Sequence, residues 1–517
     1  MEKIISCILV TGALCYYAYK SRTTRIPPPP GPKGHWLFGN ALEIAGAGAF
    51  WVKLGEYADV HGPLISVRIL HQYAYVLSDP HTATELFEKR SVNYSDRDEN
   101  EMSKLIGFDQ DIVMLQYGPK FKQCRTMLNR ALNNRAAQDY IPLQEHEVQK
   151  LMKRLMEQPE GFLDHVRLFS ASIAARVAYG YTIPSFDDPF VQTAEKWGDA
   201  FSDLKHLPDW LQVPFQRRVV EIRKVLYDLR EKPFRYVLEQ MATGTAEDSF
   251  VSKLLQGEDG ASMDEQTKED VKRIAASFYS AGADTTISAV QSFFLAMTLY
   301  PQTQAKAQAE LAAYLNSDSR RVILPKDREN LPYTSAIVKE VLRWHPIVPV
   351  VQHRSSQDDD ENVVCGDKVY RIPAKSTIMV NVWKMMQNPD VYPDPEMFMP
   401  ERFLVDNPPP GPEEYVFGFG RRATQNMPGD THRTAVNVDG HQVPAIPLPA
   451  LCSHWHLKEA CTAMEINVYN ITLRVAWEAP NPSIFAPRPK FLLIIVEDVP
   501  SVRQIIMVRG GMTERPS

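Results

Sequence analysis

The sequence predicts a mainly α (α+β) fold: one large helical domain with small β-sheets, preceded by an apolar helix. Three observations carry this expectation. Apolar residues recur at helical spacing over long runs from about residue 50 onward. Strand-like patches are confined to Leu64–Leu70, Ala74–Leu77 and the region Val363–Val380. No repeat with a period of roughly 20 to 50 residues recurs, which argues against solenoids and propellers.

Each part follows in chain order. With 517 residues, 44% hydrophobic and 23% charged, the chain has ample material for a large core. A net charge of -6 argues against nucleic acid as a partner, because phosphate binding needs concentrated Lys and Arg. Six cysteines are too few for a disulfide scaffold at this length and fit a reducing compartment.

Residues Ile4–Tyr19 are apolar or small, and Lys20, Arg22 and Arg25 follow. This predicts a single-pass membrane anchor over residues 1–25, with the positive flank leaving the remainder in the cytosol. The run is slightly short of the roughly 20 residues that span a bilayer, so a cleaved signal peptide and a buried helix are its alternatives. Four consecutive prolines within residues 26–34 cannot continue a helix and favour a stiff extended segment, a hinge or a simple linker. Residues 35–517 form the remaining domain. Within it, the acidic run Asp358–Glu361 reads as a solvated loop.

Lys122 and Arg125 stand three apart on one helix face, suited to clamping carboxylates or to a solvated surface. Leu207–Phe215 is apolar, aromatic and proline-punctuated, either core or a loop that dips into lipid. The stretch Val271–Tyr300 predicts a strong helix whose middle, Ala281–Thr286, carries a glycine, an acid and two threonines in a buried stripe. A threonine hydroxyl bonding back beside Asp284 would open the helix locally and hold water; a kink without chemistry is the plainer reading. Glu340 and Arg343 share a helix face and suit a buried ion pair. Trp344-His345-Pro346 ends that helix, and Gln352-His353-Arg354 opens an extended run. Further on stand Pro400-Glu401-Arg402-Phe403 and Phe417-Gly418-Phe419-Gly420-Arg421-Arg422.

Taken in this order, the anchor, the proline segment and these four motifs resemble a microsomal cytochrome P-450, a haem-thiolate monooxygenase, over roughly residues 25 to 422. The resemblance implies a helical domain with small sheets that holds haem, an iron protoporphyrin. It implies Asp284 and Thr285 as the proton-delivering catalytic pair. Glu340, Arg343 and Arg402 become a buried structural triad. Arg125, Arg354 and Arg422, with Lys122 or His353, become partners of the haem propionates. An apolar small-molecule substrate would lie under Ala281–Ala283, near Phe108 and the segment containing Val348, Val350 and Val351. The implied partners are O2, membrane lipid and an NADPH-cytochrome P-450 reductase, with the catalytic domain on the cytosolic side of the endoplasmic reticulum. Secondary or xenobiotic metabolism is the implied setting.

The sequence departs from the family pattern at three places. Phe121 stands where the family usually has Trp. The family requires a cysteine two residues after Arg422, in a Cys-x-Gly loop, whereas here Thr424 and Asn426 occupy those positions. A hydroxyl cannot replace a thiolate at neutral pH. Familiar sequence resumes at His456-Leu457-Lys458-Glu459-Ala460, so residues 423–455 read as an atypical insert in place of the haem loop. Cys452, four residues before His456, is the candidate metal ligand. The spacing of Cys452, His454, His456 and Cys461 does not match zinc patterns. After Trp477 the tail follows the family only loosely. Two functional readings stand: a haem-dependent monooxygenase, and a catalytically inactive, haem-deficient relative arising from altered splicing or a faulty gene model, at most a non-catalytic ligand-binding protein.

Overall fold

The computed structural model describes residues 26–99, 101–131, 139–204, 215–256, 263–315, 325–356 and 358–423, with three short strands beyond. The described residues divide into two compact units, one formed by those up to Asp96 together with Val350–Asn381, the other by the remaining described residues. Within the first unit, strands far apart in the chain pair into one sheet.

In the first unit, helix α1 (Phe50–His61) precedes strands β1 (Leu64–Ile69) and β2 (Gln72–Leu77). Strands β3 (Val350–Arg354), β4 (Asp360–Cys365), β5 (Lys368–Ile372) and β6 (Thr377–Asn381) follow. The main sheet runs β1-β2-β6-β3, with β2 parallel to β6 and the other pairs antiparallel. β4 and β5 form a hairpin around Gly366, whose φ of 59° suits the tight two-residue turn. Leu54 of α1 and Ile65, Val67 and Val76 of the sheet form this unit's core. The proline segment is bonded along the sheet: Ser66 N–H donates to the Pro30 carbonyl at 2.7 Å, and Arg371 N–H to the Pro27 carbonyl at 3.2 Å.

One expectation is corrected here. The acidic run is not simply solvated, because Asp360 accepts both Arg90 Nη1 contacts, at 2.8 and 2.9 Å, and the Tyr94 hydroxyl at 2.9 Å. A carboxylate at a strand start, half-buried beside a guanidinium, is drawn inward while exposed Asp358 and Glu361 stay in water.

The second unit is helical: α2 (Pro119–Ala131), α3 (Ile141–Glu157), α4 (Phe162–Tyr179), α5 (Pro189–Leu204), α6 (Phe215–Thr243), α7 (Glu265–Leu299), α8 (Pro301–Leu315) and α9 (Pro332–Trp344) are its longer elements. Asp264 caps α7 by accepting from Thr267 N–H at 2.8 Å, so the helix starts six residues before the expected Val271. α4 ends at Gly180, which takes the left-handed conformation at φ 67°. Small residues on α4, among them Ser170, Ala171, Ala174 and Ala178, let it approach α7 closely, and both lie in the main apolar core. α9 ends at Trp344, where His345 precedes Pro346 and cannot continue the helix. Beyond, β7 (Val475–Ala476), β8 (Leu492–Ile495) and β9 (Ile505–Val508) pair antiparallel in that order. Among the described residues no helix is long and apolar enough to cross a membrane; the expected anchor, residues 1–25, lies outside them.

Candidate functional site

The candidate site is built from α7, α9, α2 and the turn that ends at Ala423. α7 runs unbroken through Ala281–Thr286, which corrects the expectation of a local opening. Both threonine hydroxyls bond back to their own helix: Thr285 to the Ala281 carbonyl at 3.0 Å and Thr286 to the Gly282 carbonyl at 3.1 Å. Ser170 of α4 donates to the Ala283 carbonyl at 2.6 Å. The hydroxyls serve as second donors to carbonyls already bonded along the helix, so the turn keeps its ladder. Asp284 and Thr285 are half-buried neighbours on this turn.

Glu340, Arg343 and Arg402 meet in one buried network. Arg343 Nε and Nη2 grip the Glu340 carboxylate at 2.8 and 2.9 Å, and both side chains are 0% exposed. Arg402 Nε reaches the same carboxylate at 3.2 Å, as does Met399 N–H at 2.9 Å. The remaining guanidinium donors end on carbonyls of Met386 at 2.9 Å and Pro393 at 2.7 Å. The Arg343 guanidinium lies 5.6 Å from the Tyr392 ring centroid. Every charged group here has partners, the condition under which a buried ion pair is tolerated.

The basic residues belong to both units. Arg125 of α2 donates to the Ala423 carbonyl at 3.2 Å, and burial pushes its guanidinium below the usual range. Arg422 donates to the Leu115 carbonyl and stacks 4.4 Å from the centroid of Phe121, the residue that replaces the family's Trp. Lys122 sits 5.8 Å from the Tyr117 ring. His353 and Arg354 belong to the first unit. There His353 stacks on Phe87 at 4.3 Å and contacts the Tyr94 carbonyl, and Arg354 Nε donates to the Lys375 carbonyl.

Three residues escaped the sequence reading. Ser170 was hidden in a largely apolar helix beside a second buried serine, Ser172, and no spacing marks it. Arg421 reaches the Tyr117 hydroxyl. Arg97 donates to the Val113 carbonyl at 3.0 Å, and burial pushes its guanidinium down to about 10. Nothing near Arg97 in sequence marks it.

A fold of this kind, with an uninterrupted acid-threonine helix, a Glu-x-x-Arg knot and an arginine-bearing turn, is that of the haem-thiolate oxygenases. Comparison with known proteins makes this specific: the Cytochrome P450 family pattern matches residues 29–423. The chain is 35% identical over 440 residues to cytochrome P450 monooxygenase COX2 of Coprinopsis cinerea, covering 81% of this chain and 82% of that protein. It is 34% identical over 440 residues to cytochrome P450 monooxygenase 208 of Postia placenta, covering 80% and 83%. Among solved structures, the retinoic-acid-bound cyanobacterial CYP120A1 superposes with a TM-score of 0.60 at 19% identity, over 77% of this chain and 87% of that one, a likeness of fold. The chain belongs to the cytochrome P450 family, whose cofactor is a thiolate-ligated haem.

The residues at the site fit that group only in part. Arg125 and Arg422 offer guanidinium groups of the kind that hold carboxylates. The iron ligand does not fit: the family match stops at Ala423, and Thr424 follows. The two described cysteines, Cys124 and Cys365, are buried, and burial pushes the Cys124 thiol up to about 11, so it stays protonated. Among the described residues no thiolate stands at the end of the 417–423 turn. Cys452, Thr424 and the region 424–455 lie outside the described residues.

Proposed function

We propose that the chain is built as a haem-dependent monooxygenase that hydroxylates an apolar small molecule, using O2 and electrons from an NADPH-dependent reductase, in secondary or xenobiotic metabolism. The fungal monooxygenases it resembles support the reaction class. In this reading Asp284 and Thr285 handle protons, Arg125, Arg422, Lys122, His353 and Arg354 serve the haem propionates, and Ala281 faces the cofactor. Residues 1–25 anchor the chain in the endoplasmic reticulum membrane, and Cys452 supplies the thiolate.

The observation that carries the reading is the placement in one unit of the Ala281–Thr286 turn, the Glu340–Arg343–Arg402 network and the Arg422 turn. No cysteine stands two residues after Arg422, where Thr424 occupies the ligand position. That same absence favours a second reading, a haem-deficient, non-catalytic relative produced by altered splicing or a faulty gene model.

The carbon monoxide difference spectrum of the reduced, full-length chain separates the two. A thiolate-type Soret band that Cys452→Ala abolishes and Cys461→Ala spares supports the first. A folded chain without any haem signal sinks it, and sequencing the mature transcript then shows whether residues 423–455 are encoded as written.

A further inference from the structure

Helix α9 begins without a side-chain cap of its own. The first N–H groups of a helix lack an intrahelical partner, and a Ser, Thr, Asp or Asn at the N-cap position usually supplies the acceptor. Here that position is Leu331, 2% exposed and part of the main apolar core. The acceptors come from α8 instead. Glu310 takes the Tyr333 N–H on Oε1 at 2.7 Å and the Thr334 N–H on Oε2 at 2.8 Å, and the Thr334 hydroxyl also donates to Oε2 at 2.7 Å. Pro332 has no N–H, and Ser335 N–H bonds back to the Leu331 carbonyl at 2.9 Å, so the backbone donors of this first turn are all satisfied. A carboxylate at this end of α9 also faces the positive end of the helix dipole.

One turn earlier on α8, Lys306 donates to Glu401 Oε1 at 2.5 Å, and the Tyr333 hydroxyl donates to the same oxygen at 2.9 Å. Tyr333 is thus held at both ends, its N–H by Glu310 and its hydroxyl by Glu401. Glu401 precedes Arg402 in the turn Pro400–Phe403, and α9 carries Glu340 and Arg343. The partners of the buried network are therefore joined a second time, outside it, along one face of α8. The Lys306–Glu401 pair is largely exposed and contributes little alone, so the Glu310 cap and the Tyr333 hydroxyl carry most of this second join.

We propose that Glu310 and Tyr333 are positioning residues for the Glu340–Arg343–Arg402 network. Glu310 fixes the start of α9 against α8, and Tyr333 fixes the Pro400–Phe403 turn against α9. Together they set the register at which the Arg402 guanidinium and the Met399 N–H arrive at the Glu340 carboxylate, at 3.2 and 2.9 Å. Hydrogen bonds weaken steeply as they lengthen and bend, so a carboxylate shared by donors from two elements depends on that register. The brace rests on the network itself and not on the presence of haem.

The test is native-state hydrogen exchange at single amides of the full-length chain, and it reads out whether or not haem binds. The Met399 N–H is the reporter, because its acceptor is Glu340 and not a substituted residue. Glu310→Ala speeds exchange at Tyr333 and Thr334 by roughly tenfold, through loss of their acceptor, and at Met399 by about threefold or more, while α4 is unchanged. Glu310→Gln, which keeps the length and one acceptor oxygen, gives a smaller rise at Met399. A rise confined to Tyr333 and Thr334, an equal rise in α4, or a Gln variant as disruptive as Ala overturns the proposal. If Glu310→Ala does not fold, Tyr333→Phe decides, since it keeps the N–H bond to Glu310 and removes only the hydroxyl: faster exchange at Met399 supports the brace, and unchanged exchange there overturns it.

Discussion

Two arginine sites in the second unit use the same chemistry to different ends. At Glu340, one carboxylate accepts from two guanidinium groups and a backbone N–H, and the remaining donors end on nearby carbonyls. That network is complete with protein atoms alone. At the 417–423 turn, Arg125 ends on the Ala423 carbonyl, and burial is the cause that shifts it. The next residue is the Thr424 that stands in place of a ligand. A site closed by its own residues survives a change in the following loop; a site completed by that loop does not.

The sharpest way to break this contrast is Glu340→Ala. It leaves two buried guanidinium groups without their carboxylate and is expected to cost about 3–5 kcal/mol, read from the urea midpoint or the loss of soluble protein. A cost below about 1 kcal/mol would mean that the network is not the knot the geometry describes. Ser170→Ala removes a second donor to the Ala283 carbonyl, which keeps its helical bond, and is expected to cost about 0.5–1.5 kcal/mol in the same measurement.

Arg125→Met exchanges a buried charge for an apolar side chain of similar length, so stability should change by less than about 1 kcal/mol in either direction. A loss as large as that of Glu340→Ala would erase the distinction between the sites. The smallest effect is at His345, whose ring meets the Ser292 hydroxyl at 2.9 Å and whose pKa burial lowers. The unfolded chain binds this proton more readily, so its contribution is present above the ordinary histidine value and fades as pH falls below it. His345→Gln should flatten that part of a stability-versus-pH curve.

Much of the helical unit was legible because helix formation and capping are local. The stripe Val271–Met297 and the Trp344-His345-Pro346 stop stand where the sequence reading put helix and stop, although the Asp264 cap moved the α7 start earlier. Glu340 and Arg343, three apart on α9, announced a pair, and Arg402 lies in the same network. Ser170, Arg97 and the Glu310 cap of α9 were not legible. Each joins residues whose separation along the chain carries no pattern, and a single serine, arginine or glutamate looks the same buried or solvated.

The sequence by itself determined the α-rich class, the family motifs and the presence of Thr424 where the family has a cysteine, two residues after Arg422, all properties of residue identity and short-range spacing. Tertiary structure alone decided that the Ala281–Thr286 helix stays closed, because hydroxyl donors bond carbonyls the ladder already satisfies. It also decided that Asp360 turns inward to Arg90, and that Glu310 of α8 caps α9. These outcomes depend on which distant groups burial brings within hydrogen-bond reach, where an unmatched charge or donor is costly.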